Sequence, residues 1–325
     1  MIATNPIAEA SPFAVPGARP LDHAKFRDPL YTAGGDQRAH VALRQLETLW
    51  INTGTLCNLA CKTCYILSSP TNDALVYPTL AEVDPYLDEA ERLATREIGF
   101  TGGEPFMNPD MIAMMGSALR RGFEVLVLTN AMRPMRRFEA QLGALRIEFG
   151  AQLTMRVSLD HYTQALHEAE RGPNSWVKAI DGCKWLSDHD FRLAIAGRRL
   201  AGESEGAARA GYAGLFAAHD LRIDAFDPAA LVLFPEMDES ADVPEISEAC
   251  WGVLGVSPAS MMCASSRMVI KRKGTPRPVV VACTLIPYDD RFALGETLAE
   301  AQGAISLNHP HCARFCVLGG ASCSG

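Results

Sequence analysis

Residues 46–64 read LETLWINTGTLCNLACKTC. Their first seven residues, Leu46–Asn52, are rich in strand-favouring apolar side chains, and a Thr-Gly turn ends the predicted strand. Three thiols then follow within eight residues, at Cys57, Cys61 and Cys64. Structural zinc normally takes four protein ligands, whereas an iron–sulfur cluster can leave one iron open. On spacing alone, both zinc and an iron–sulfur cluster stay open as occupants.

Composition narrows the class of protein. A chain of 325 residues buries enough surface to fold without metals or disulfides, so its ten cysteines are surplus to folding. The net charge of −8 argues against nucleic acid as the principal partner. Residues 1–20 lack the features of a signal peptide, and no apolar run is long enough for a membrane span. We therefore expect a soluble, cytoplasmic protein with free thiols.

A second motif helps to choose between zinc and an iron–sulfur cluster. Residues 97–110 read EIGFTGGEPFMNPD, a short predicted strand followed by two glycines, a carboxylate and a proline. Gly102 and Gly103 allow backbone to approach a ligand closely, because neither carries a Cβ atom. Glu104 adds an acceptor suited to a cationic amine. One strand-helix unit after a Cys-x3-Cys-x2-Cys loop, this turn favours an iron–sulfur cluster.

At this point the chain resembles the radical S-adenosylmethionine (SAM) enzymes, whose signature is this cysteine loop followed by a Gly-Gly-Glu-Pro-like turn. The resemblance implies that Cys57, Cys61 and Cys64 hold a [4Fe–4S] cluster that chelates SAM, and that Gly102, Gly103 and Glu104 face the SAM amino group. The family usually has an aromatic residue before the third cysteine. Here that residue is Thr63, and the neighbouring Tyr65 is the candidate for the adenine contact.

Further SAM contacts are expected at the next strand ends. The segment SLDHYTQALHEAERGPNSWVKAIDG, from Ser158, resembles the one after the fourth strand in radical SAM enzymes with an extra cysteine-rich domain. The resemblance implies that Ser158 and Arg171 approach the SAM carboxylate or ribose. Thr129 and Asn130, at the third strand end, are further candidates. Near the fifth strand, Arg198-Arg199 is a candidate for binding a substrate carboxylate or phosphate.

The pattern of strands and helices predicts an α/β fold. Continuous apolar runs such as FEVLVLT are typical of a parallel sheet buried on both faces. The predicted strands are Leu46–Asn52, Glu97–Thr101, Phe123–Thr129, Leu153–Leu159, Phe191–Ala196 and Leu231–Pro235. The predicted helices between and after them are Leu80–Ala94, Asp110–Arg121, Met135–Leu145, Ser175–Ser187 and Gly206–Ala218. Six such units indicate a partial (β/α)6 TIM-like barrel, with the site at the carboxyl ends of the strands.

The last part of the chain is a second cysteine-rich module. Two predicted strands flank residues 273–276 with a cysteine at each end, a short helix is predicted over 294–301, and the tail carries three more thiols. The layout resembles the SPASM and twitch auxiliary-cluster domains of radical SAM enzymes. We expect one auxiliary [4Fe–4S] cluster on Cys263, Cys283, Cys312 and Cys316, with Cys323 as the alternative fourth ligand and zinc as the alternative metal. Cys183 and Cys250 are expected to be structural.

These parts predict three units: an N-terminal arm (1–46), a radical SAM barrel (47–257) and an auxiliary-cluster domain (258–325). The family chemistry implies cleavage of SAM, hydrogen abstraction from a small molecule or a peptide, and an electron donor such as flavodoxin or ferredoxin. An auxiliary cluster favours net oxidation by dehydrogenation or bond formation. The short arm tilts the expectation slightly towards a small molecule, or towards a peptide that a separate protein delivers. A non-catalytic iron–sulfur electron carrier and a zinc-stabilised binding module are the alternatives from other classes.

Overall fold

The computed structural model describes residues 11–236 and 238–320. In chain order its strands are β1 His40–Val41, β2 Thr48–Asn52, β3 Glu97–Thr101, β4 Glu124–Thr129, β5 Leu153–Ser158, β6 Arg192–Arg198, β7 Leu231–Phe234, β8 Ser266–Ile270, β9 Val279–Val281, β10 Ala293–Gly295 and β11 Ile305–Ser306. Nine of them form the main sheet, in the order β10-β9-β8-β2-β3-β4-β5-β6-β7, and β1 and β11 form a separate pair. β2 to β7 run parallel to one another, so the six predicted strands of a partial barrel are confirmed.

Helices connect the parallel strands. They are α1 Leu80–Arg92, α2 Met111–Arg120, α3 Arg133–Arg136, α4 Glu139–Phe149, α5 Gln164–Arg171, α6 Ser175–Asp188, α7 Glu205–Ala218 and α8 Cys250–Leu254. The capping box between Thr79 and Glu82 starts α1. Val83, Leu87 and Ala90 of this helix are buried at the spacing of one helical face, which packs into the main core.

Two helix predictions need correction. The predicted helix Met135–Leu145 is divided into α3 and α4, because the chain leaves helical geometry between Arg136 and Glu139. The segment 294–301, predicted as a short helix, instead contributes β10 and only a single 3₁₀ turn over Glu300–Gln302. Here the Glu300 carboxylate accepts hydrogen bonds from the backbone N–H groups of residues 296 and 297, which turns the chain away from β10.

The C-terminal segment shares the barrel sheet. β8 lies parallel to β2 along its open edge, and the predicted hairpin is present as the antiparallel pair of β8 and β9. All five residues of β2 and all five of β8 are buried. β1 pairs with β11 in antiparallel fashion and joins the segment before the barrel to the C-terminal segment. No helix in the described ranges is long and apolar enough to cross a membrane.

The parallel strands all end on the same edge of the sheet. The cysteine loop follows β2, the glycine turn follows β3, Asn130 follows β4 and Asp160 follows β5. Ligands of α/β barrels bind at the carboxyl ends of the strands. The topology therefore brings distant motifs of the sequence to one place.

Candidate functional site

One cavity lies at the carboxyl ends of the barrel strands, and it gathers most of the residues expected to bind the cofactor. The three cysteines of the loop line it. So do seven of the other candidates: Tyr65, Gly102, Gly103, Thr129, Asn130, Ser158 and Arg171. The eighth, Glu104, is buried beside the cavity wall and does not line it. Residues separated by more than a hundred positions in sequence thus share one concave surface.

The cysteine loop presents its sulfur atoms to backbone donors. The N–H of Leu59 lies 3.4 Å from the Cys57 Sγ, and the N–H of Ser68 lies 3.3 Å from the Cys64 Sγ. Burial raises the pKa of Cys57 to about 11 and that of Cys61 to about 12. A metal that binds these thiols must therefore displace their protons. Within the described ranges, no three His, Cys, Asp or Glu side chains are placed to hold a single metal ion.

The glycine turn fits against the backbone of the cysteine loop. Gly102 has φ +144°, a region that favours glycine, and the N–H of Gly103 donates to the Gly54 carbonyl at 2.8 Å. A Cβ on Gly103 would lie 2.3 Å from the carbonyl oxygen of Leu56. The two glycines were expected to admit a ligand. The structure adds that their close approach is to the loop that carries the thiols.

Glu104 holds the next strand end in place. Its carboxylate accepts hydrogen bonds from the Thr129 hydroxyl at 2.8 Å, from the Asn130 N–H at 2.8 Å and from the Phe106 N–H at 3.3 Å. Burial raises the pKa of Glu104 to about 7. Its contact with the cavity therefore passes through Thr129 and Asn130, which both line the cavity wall.

The sequence around this site matches a known protein family. Residues 51–198 match the Radical SAM superfamily. The chain contains a radical SAM domain. For a domain of that superfamily, the implied cofactors are a [4Fe–4S] cluster and SAM.

Two curated relatives share part of this sequence. The chain is 30% identical over 135 residues to the mycofactocin maturase MftC of Mycobacterium ulcerans, covering 42% of this chain and 35% of MftC. It is 28% identical over 141 residues to the antilisterial bacteriocin subtilosin biosynthesis protein AlbA of Bacillus subtilis, covering 43% of this chain and 30% of AlbA. The chain thus spans about a third of the length of these relatives.

Solved structures share the fold. Streptococcus suis SuiB bound to S-adenosylmethionine aligns with a TM-score of 0.57 and 11% identity, over 77% of this chain and 63% of SuiB. Native anSMEcpe with bound AdoMet aligns with a TM-score of 0.54 and 15% identity, over 78% of this chain and 79% of anSMEcpe.

A charge network that the sequence did not suggest borders the radical SAM cavity. Arg171 makes two hydrogen bonds to the Asp160 carboxylate, at 2.6 and 3.3 Å. Burial disfavours the ionised form of Asp160, but the Arg171 and Arg198 guanidinium groups outweigh that effect and hold the pKa of Asp160 below its ordinary value. This pair fixes one of the predicted SAM contacts, Arg171, before any ligand binds.

The second half of the network explains the departure at Thr63. Its hydroxyl donates to a Glu170 oxygen at 2.6 Å and its N–H to the same oxygen at 2.9 Å. Arg198 lies 3.4 Å from Glu170 and 3.1 Å from Glu236. A small polar residue at position 63 thus ties the cysteine loop to a buried ion-pair group. Arg198 and Arg199 do not act as a pair, because Arg198 is neutralised inside while Arg199 is exposed.

The N-terminal arm also reaches the site. The Ser11 hydroxyl lies 3.4 Å from a Glu170 oxygen and 3.3 Å from a Glu236 oxygen. Phe13 is buried, with the Arg198 guanidinium 4.6 Å from its ring centre. No periodicity or spacing in the sequence pointed to this contact.

Four of the five C-terminal cysteines line a second, smaller pocket. They are Cys263, Cys283, Cys312 and Cys316, the set expected to bind an auxiliary cluster. Cys323 lies outside the described residues. Burial raises the pKa of Cys263 to about 11 and lifts the pKa values of Cys283 and Cys312 well above the ordinary range. The Leu285 N–H lies 3.4 Å from the Cys283 Sγ, as the Leu59 N–H does from Cys57.

The other two cysteines lie away from both pockets. Cys183 is fully buried in the main core on α6, where burial raises its pKa to about 12. Cys250 is half-buried at the start of α8, and its sulfur lies 3.4 Å from the Ser247 N–H. Their surroundings are those of packing residues.

Proposed function

We propose that this chain cleaves SAM reductively and removes a hydrogen atom from a peptide, with net oxidation of that peptide. The observation that carries the proposal is the single cavity shared by three thiols, the glycine turn and the ends of the next two strands. An electron carrier would need the thiols alone. It would not need a glycine turn, Ser158 and Arg171 arranged around the same space.

The residues fit a cluster with SAM. Cys57, Cys61 and Cys64 would be the ligands, and backbone N–H groups near two of the sulfurs would stabilise thiolate charge. When bound, the cluster and SAM supply a 5′-deoxyadenosyl radical. Carbonyl groups of the glycine turn would accept from the SAM ammonium, while Arg171 would hold its carboxylate. Tyr65 would contact the adenine, and Ser158 the ribose.

An apolar part of the cavity wall suggests what reacts there. Leu128, Phe234, Leu285 and Phe315 line the cavity and belong to one apolar cluster, and the rings of Phe234 and Phe315 lie 5.5 Å apart. An apolar wall keeps water from a reactive intermediate and favours an apolar group in contact with it. We therefore propose that the reacting part of the substrate is an apolar side chain.

The choice of a peptide over a small molecule comes from the curated relatives. One is named for bacteriocin biosynthesis and the other as a maturase. The electron donor is proposed to be flavodoxin or ferredoxin, as the family implies.

We also propose an auxiliary [4Fe–4S] cluster in the module 258–325. Cys263, Cys283, Cys312 and Cys316 would be its ligands, with Cys323 as the alternative fourth. Such a cluster supplies a one-electron acceptor, which net oxidation of the substrate requires. Leu285 lines both cavities, so its side chain borders both sites.

Anaerobic counting of iron and sulfide tests this proposal. We expect about eight irons per chain, the content of two cubane clusters. Alanine at positions 57, 61 and 64 should remove about half of the iron, alanine at 263 and 312 should remove the other half, and the control C183A should remove none. A colourless protein with bound zinc would refute the proposal. About four irons per chain would refute the auxiliary cluster alone.

The peptide is tested separately. The reconstituted enzyme is incubated with SAM, dithionite and any short peptide encoded beside its gene, and the mass of the peptide is then measured by mass spectrometry. We expect loss of two hydrogen atoms. An unchanged peptide together with an oxidised small molecule from the same reaction would overturn the choice of a peptide.

A further inference from the structure

Arg267 is a buried cation, 1% exposed. No Asp or Glu within the described ranges lies at ion-pair distance from it, and its described hydrogen bonds all go to backbone carbonyls. Arginine keeps its charge at all ordinary pH values. A charge taken out of water and left without a counter-charge is strongly unfavourable. The site must therefore offset this charge in another way.

Backbone carbonyls do part of that work. The Arg267 guanidinium donates to the carbonyl oxygens of Ala301 at 2.9 Å, of Cys263 at 2.6 Å, of Ser266 at 2.8 Å and of Gly303 at 3.0 Å. Carbonyl dipoles solvate the guanidinium but bring no net negative charge. The N–H donors of the guanidinium therefore have acceptors, but its positive charge is not neutralised.

Among the residues that the structure describes, the acidic groups that act on Arg267 are two thiols. They belong to Cys263 and Cys283, both of which line the second pocket. The backbone carbonyl oxygen of Cys263 also accepts a hydrogen bond from the Arg267 guanidinium. The positive charge thus contacts the backbone of Cys263, one of the four cysteines that line this pocket. Once those thiols are deprotonated, the pocket is the counter-charge that Arg267 lacks.

We propose that Arg267 is a positioning residue for an anionic iron–sulfur cluster in the second pocket, and that its charge raises the reduction potential of that cluster. This inference rests on the auxiliary cluster of the proposed function. Net charge around an iron–sulfur cluster is one of the factors that set its potential, since a nearby cation favours the more negative reduced state. The hydrogen bonds from Arg267 to backbone carbonyls fix that cation beside Cys263, which lines the pocket.

The test uses the full chain with alanine at positions 57, 61 and 64, so that only the second cluster is present. Its reduction potential is measured by redox titration followed by electron paramagnetic resonance. We expect Arg267→Gln to retain iron and to shift the potential to a more negative value. Arg267→Lys should restore most of the wild-type potential, because it keeps the charge. The control is Arg277→Gln, an exposed arginine of the same hairpin that pairs with Glu296, and its potential should not move.

Each outcome decides the inference. A potential unchanged in Arg267→Gln with full iron content would overturn it. If Arg267→Gln does not fold, Arg267→Lys decides: a wild-type potential supports a role of charge, and a shift to a more negative value shows that Arg267 only ties backbone segments together. A parent chain that binds no iron after loss of the first three cysteines would instead refute the auxiliary cluster itself.

Discussion

Replacing Gly103 with alanine should move the backbone that carries the first cysteine of the loop. The added Cβ would lie 2.3 Å from the Leu56 carbonyl oxygen and 2.8 Å from that of Thr55, whereas ordinary contacts begin at 3.4 Å. Backbone atoms cannot rotate away as a flexible side chain can. Relief therefore requires a shift of roughly 1 Å, and Leu56 directly precedes Cys57.

The magnitude follows from that shift. Overpacking of a well-packed region costs about 1–3 kcal/mol of folding free energy. A displacement of about 1 Å at a site of this kind can lower the rate roughly 100-fold. We expect G103A to unfold at a lower temperature than wild type and to release 5′-deoxyadenosine about two orders of magnitude more slowly.

Thermal unfolding of the iron-free protein and the rate of 5′-deoxyadenosine release after reconstitution measure the two effects. The matched control is Gly214→Ala on α7, where a Cβ would meet nothing within 4 Å. Alanine is the better helix former there, so this variant should gain about 0.5–1 kcal/mol and keep its activity. Wild-type stability and rate in G103A would refute our description of the glycine turn.

Three further predictions concern Glu104, Asp160 and Thr63. Burial raises the pKa of Glu104 to about 7, so the folded chain keeps a proton that the unfolded chain loses above its ordinary pKa of 4.5. The contribution of Glu104 to the free energy of unfolding therefore falls as pH rises from about 4.5 to 7, and E104Q should unfold with a weaker dependence on pH over that range. D160N leaves the Arg171 guanidinium without its buried partner and should cost about 3–5 kcal/mol in denaturant unfolding, whereas a loss below 1 kcal/mol would contradict the ion pair. T63V removes the hydroxyl that donates to Glu170 and should cost about 1–3 kcal/mol without loss of iron, and iron loss would show that this residue acts on the cluster directly.

The barrel could be predicted because its signals are local. Each of the six parallel strands is a short apolar run bounded by glycine, proline or polar residues, and each was found within a few positions of its predicted bounds. The position of β8 could not be predicted. It pairs with β2 from more than two hundred residues away, and no local pattern shows which edge of a sheet a distant strand will cover.

The candidate site also has a part that local motifs predict and a part that they do not. The cysteine loop and the glycine turn have fixed spacing, and the strand ends place them together. Glu170 lines the cavity, and Glu236 and Phe13 contact Arg198 in its wall. Tertiary packing alone brings these three residues there, so no local sequence pattern indicates them. The helix predicted over 294–301 failed because hydrogen bonds to the Glu300 carboxylate override its helical propensity.

Cleavage of SAM tests the central claim most directly. The anaerobically reconstituted chain is mixed with dithionite and SAM, and 5′-deoxyadenosine is measured by liquid chromatography. We predict steady release by the wild-type chain and none by the variant with alanine at positions 57, 61 and 64. A wild-type chain that binds its iron fully and still releases no 5′-deoxyadenosine, or a triple variant that releases it, would contradict the account.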